Sequence, residues 1–117
     1  MPDDAQPARE YAGARRLVVP TVRTALRSGE PLRLRVLIPG EPQPRQAVLR
    51  WRWFGERKYR EVALRRVARA VYTAEVPPES FRGGDFEYHV KVVPERGGTL
   101  YFPATAPKRN QTVVMLE

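Results

Sequence analysis

Residues 57–76, "RKYREVALRRVARAVYTAEV", decide the fold, because two incompatible periods run through them. Leu64, Val67, Ala68 and Val71 recur at the spacing of an amphipathic helix, and Ala, Arg, Glu and Leu are good helix formers. Ala68, Ala70, Tyr72, Ala74 and Val76 recur at every second position, as one face of a strand does. Both patterns fit locally. The double proline at 77 and 78 ends the run as it would end an edge strand, and the segments on either side are strand-like. The sequence therefore predicts two short strands, roughly 58–64 and 67–76, with a helix as the alternative.

Upstream, "AVLRWRWF" (47–54) alternates, with Leu49, Trp51 and Trp53 on one side and Val48, Arg50, Arg52 and Phe54 on the other; Gly55 closes it. "PLRLRVLIPG" (31–40) puts Leu32, Leu34, Val36 and Ile38 opposite Arg33 and Arg35, the signature of a half-buried strand. "LVVPTV" (17–22) is β-branched, and its Pro20 cannot donate to a ladder, which predicts an edge strand; "ALRSGEP" then breaks the chain. Downstream, "DFEYHVKVV" (85–93) places Phe86, Tyr88, Val90 and Val92 inward and Glu87, His89 and Lys91 outward. "PERGG" reads as a hairpin turn, where paired glycines supply positive φ cheaply. "TLYF" and "QTVVML" complete the set. Seven or eight short strands separated by Pro and Gly predict an all-β antiparallel sandwich spanning 17–117 behind a flexible leader, 1–16.

The chain has 117 residues and no cysteine, so neither a disulfide framework nor a thiolate metal site can form. Its formal charge is +8, from 21 cations against 13 acids, and only Lys58, Lys91 and Lys108 of those cations are not arginine. Such a balance favours anionic partners. Yet Arg15, Arg23, Arg33, Arg50, Arg65, Arg82 and Arg96 are spread along the whole chain, as a compositional bias would also leave them. No run of eighteen apolar residues predicts a membrane span, and no signal-peptide core opens the chain, so the compartment stays open. Asn110-Gln111-Thr112 matches a glycosylation triplet of a kind that arises often by chance.

Several stretches resemble the immunoglobulin-like and fibronectin type III-like sandwich domains that accompany larger bacterial proteins, many of them carbohydrate-active enzymes. They are "GEPLRLRVLI", "VLRWRW" with "GERKYREVAL", "YTAEVPP", "GGDFEYHVKVV" and "YFPATAP" with "QTVVML". The resemblance implies accessory, spacer or sugar-binding roles rather than one activity. It also implies that Trp51 fills the centre of the sandwich and that Tyr88 forms a tyrosine corner, two residues before Val90, where antibody domains carry a cysteine. Trp53, nearer the end of its strand, is the better stacking candidate.

In such an arrangement the third and sixth strands share a sheet, so Arg50 and Arg52 would stand beside His89 and Lys91, with Tyr101 on the last hairpin. That basic face with its aromatic would suit carboxylates or sulfates; Glu61 and Glu87 could instead balance it as a solvated face. His89 is the one histidine, and Ser28 and Ser80 are the two serines, both in expected turns. No nucleophile, carboxylate pair, phosphate loop or metal site assembles from these, so neither catalysis nor a cofactor is expected. The sequence thus predicts a noncatalytic, monomeric module that binds a polysaccharide for a larger protein. A spacer or protein-interaction domain is the alternative, and nucleic acid is the least expected partner for want of a recognition helix.

Overall fold

The computed structural model describes residues 16–40, 42–81 and 84–116. Apart from Arg16, the expected leader lies outside the described residues, as does Arg82. Strand periodicity wins in the contested stretch, although as three strands rather than two: β4 (Arg60–Ala63), β5 (Arg65–Ala68) and β6 (Val71–Val76). Two breaks divide it. Leu64 alone separates β4 from β5, and Ala70 turns the chain into β6 with a φ of 65°, in the left-handed region that an alanine enters at a cost.

The other strands are β1 (Ala25–Arg27), β2 (Leu32–Leu37), β3 (Gln46–Trp53), β7 (Phe86–Val93), β8 (Leu100–Phe102) and β9 (Gln111–Leu116). Among the described residues, nine strands thus replace the seven or eight expected. They form two sheets. The larger has the order β1-β9-β7-β3-β4, with β8 also on β7, and the smaller has the order β2-β6-β5. Every pairing is antiparallel except β1 with β9. The fold is an all-β sandwich.

Two expectations fail at the start of the chain. "LVVPTV" contributes only an isolated bridge, Val18 to Leu37, in place of an edge strand. "ALRSGEP", expected to break the chain, contains β1, which is anchored by the buried Leu26. Pro20 explains the first result, since it has no N–H to extend the ladder beyond that bridge.

The core lies between the sheets and follows the predicted parity. Leu32, Leu34 and Val36 of β2 and Tyr72, Ala74 and Val76 of β6 face Leu49 and Trp51 of β3, Phe86, Tyr88, Val90 and Val92 of β7, and Val113 of β9. A one-turn 3-10 helix at Pro78–Phe81 adds Phe81, stacked on Phe86 with centroids 4.0 Å apart and edge-on to Trp51 at 5.0 Å. Each such ring buries enough apolar surface to contribute roughly 4–6 kcal/mol before its ordering entropy is subtracted.

Candidate functional site

The antiparallel register of β3 on β7 pairs Arg50 with His89 and Arg52 with Glu87, while β4 brings Glu61 opposite Arg50. Directly opposed residues share a face, so these five line the outside of the larger sheet. Lys91 joins them through its pairing with Tyr101 of β8. Arg50, Arg52, His89, Lys91 and Tyr101, all candidates from sequence, are therefore brought onto one surface.

Two residues that the sequence reading did not place on this face, Tyr59 and Asn110, organise that surface. Tyr59 precedes β4 with the parity of Glu61, and its ring lies under both guanidiniums, 4.8 Å from the Arg50 carbon and 4.4 Å from that of Arg52. Asn110 precedes β9; its Nδ2 donates to the Tyr59 hydroxyl at 2.8 Å and to Glu87 Oε2 at 3.1 Å. Glu87 Oε2 also accepts from Arg52 Nε at 2.6 Å. Arg50 Nε reaches only to 3.5 Å from Glu61 Oε2, an ion pair without a good hydrogen bond.

His89 sits beneath this layer. It points outward from the sheet as expected, yet it is fully buried, because Tyr59 packs edge-on against it at 4.9 Å and Tyr101 at 5.8 Å. The expectation of an accessible histidine on a basic surface is corrected accordingly. With both Asn110 amide donors engaged, Asn110 Oδ1 faces His89 Nδ1 at 3.0 Å, so Nδ1–H donates and Nε2 carries a buried lone pair with no partner among the described residues. Burial, and then the Arg50 charge, hold the imidazole pKa down to about 4. It is neutral at physiological pH and adds no positive charge to the face.

Trp53 stands apart from the other candidates. It is on the inner side of β3 at the end of the sandwich, edge-on to Trp51 at 5.6 Å. Arg60, opposite Trp51 on β4, lays its guanidinium 4.3 Å from the Trp53 ring and is itself held by Glu56 at 2.8 Å. The free face of the indole is thus partly occupied by the chain's own cation. Trp51 is in the core, where the resemblance put it.

Tyr88 is fully buried beside it, and its hydroxyl makes no well-formed hydrogen bond among the described residues; the Arg23 backbone that influences it lies far upstream in the chain, so the short-range bond of a tyrosine corner is not made. Burial pushes that hydroxyl's pKa up to about 12, against the opposing influence of the Arg23 backbone and charge. Asp85, just before β7, clasps β9 by accepting from the Met115 backbone N–H at 2.7 Å.

Among the described residues no three His, Asp or Glu side chains gather as metal ligands, and no helix is long and apolar enough to cross a membrane. Fold and site together define a two-sheet all-β sandwich whose larger sheet carries a closed polar and aromatic layer. No protein-family model and no curated protein matches the chain. It is similar to the crystal structure of an engineered protein from the Northeast Structural Genomics Consortium, with a TM-score of 0.62 and 14% identity over 91% of this chain. The chain spans 21% of that protein's length, and the likeness is one of fold alone.

Proposed function

We propose that the chain is a noncatalytic, immunoglobulin-like module that binds a polysaccharide on behalf of a larger protein. Supporting the immunoglobulin-like part are the β3–β7 pairing in one sheet and the central Trp51 between the layers. The observation that carries the noncatalytic part is the use made of His89. The group best suited to acid–base work is buried, neutral and bonded to Asn110, so packing consumes it. The abundance of arginine supports an anionic ligand, since guanidinium forks match carboxylates and sulfates bidentately.

A spacer or protein-interaction role is the second reading, favoured by the same closed layer over Tyr59, which stiffens the larger sheet. Nucleic acid ranks lower, for no recognition helix projects from the sandwich among the described residues. An array of neutral and acidic polysaccharides, probed at two salt concentrations, separates these. Retention of an acidic class that weakens with salt is expected. Failure to retain any polysaccharide would leave the spacer reading in its place.

A further inference from the structure

We propose that a polyanionic polysaccharide lies across the outer face of the smaller sheet, gripped by Arg35 and Arg65 on either side of Thr73. This inference rests on the polysaccharide reading and moves its site away from the face that the sequence favoured.

The register makes the row. Arg35 of β2 and Arg65 of β5 both pair with Thr73 of the central strand β6, so all three share one face and one line across the sheet. Arg33 opposes Glu75 in the neighbouring row. The Arg33–Glu75 ion pair is long, at 3.4 Å, and its side chains are 73% and 55% exposed, so water screens it heavily. Arg35 and Arg65 are exposed and make no ion pair or side-chain hydrogen bond among the described residues. The contrast with the larger sheet is one of occupancy: there Arg50 and Arg52 stack on Tyr59 and face Glu61 and Glu87.

An open groove of about 740 Å³ follows this face, with Pro20 and Thr21 among its lining as well as Val62 and Ala63. No aromatic residue lines it, so neither a neutral sugar nor a base has a platform to stack on, and affinity must come from charge. Adjacent strands lie about 4.8 Å apart, which sets the Arg35 and Arg65 backbones about 10 Å from each other. Two guanidinium forks at that separation, with a hydroxyl between, suit carboxylates or sulfates spaced along a polymer. Duplex nucleic acid, with about one charge per 1.7 Å of axis, draws its affinity from many more contacts than two open guanidiniums offer.

The test measures binding of the intact chain to heparin, to dextran and to a short DNA duplex over a range of salt. Arg35→Gln with Arg65→Gln is expected to weaken heparin binding at least tenfold and to flatten its salt dependence, with the melting temperature preserved. Arg45→Gln with Arg96→Gln removes equal charge from exposed positions elsewhere and is expected to change binding less than threefold. Equal losses in the two pairs, or a loss seen instead in Arg50→Gln with Arg52→Gln, would overturn the site while the polysaccharide reading stands. Tighter, Arg35- and Arg65-dependent binding to the duplex would make nucleic acid the occupant. No retention of heparin or of any arrayed polysaccharide would sink site and reading together.

Discussion

Trp51 meets Phe81, Phe86 and Trp53 within 6 Å, so truncating it leaves a void that neighbouring strands cannot close without breaking their register. Trp51→Ala should cost about 3–5 kcal/mol in urea unfolding. Trp53→Ala removes a half-buried ring, and the expected cost is about 2 kcal/mol. His89 gives a prediction with a sign. Its pKa is about 4 when folded and about 6.5 when free, so the neutral form is the one that folding favours. Its contribution is fully present above pH 6.5 and declines as pH falls from 6.5 towards 4, by about 3 kcal/mol in all. His89→Gln should flatten the stability profile over that window, where urea midpoints of the two proteins would be compared.

At the scale of elements, β1 is a three-residue strand held by Leu26, and Leu26→Ala should destabilise by about 2–5 kcal/mol. The β5–β6 turn stores strain at Ala70, and Ala70→Gly should relieve about 1 kcal/mol, read as a raised melting temperature. These two elements also mark where sequence reading runs out. β2, β3 and β7 announced themselves because each buries one face, which imposes a period of two on their residues. β1 is too short to show a period, and its partner β9 lies near the far end of the chain. Five of the six candidate site residues share a surface because parity and strand pairing were both readable. The burial of His89 was not readable, since Tyr59 and Asn110 reach it from beside the strands, where no periodicity signals a covering residue. Their parity with Glu61 and Thr112 is the one available clue. Trp53 fell on the other side for the reason its own alternation gave.

For the whole molecule, the uneven engagement of arginines matters more than the net charge of +8. On the larger sheet Arg50 and Arg52 are neutralised internally, whereas the smaller leaves Arg35 and Arg65 open on its outer face, so added salt should weaken capture of the proposed polyanion while hardly moving the melting temperature. The two layers are also joined at Leu64, whose N–H still bonds to Ala47 of β3 at 2.9 Å while the next residue begins β5 in the other sheet. Neither layer can peel away without tearing this stitch. Unfolding followed by indole emission and by far-ultraviolet dichroism should therefore trace one coincident transition, with no half-opened species in between.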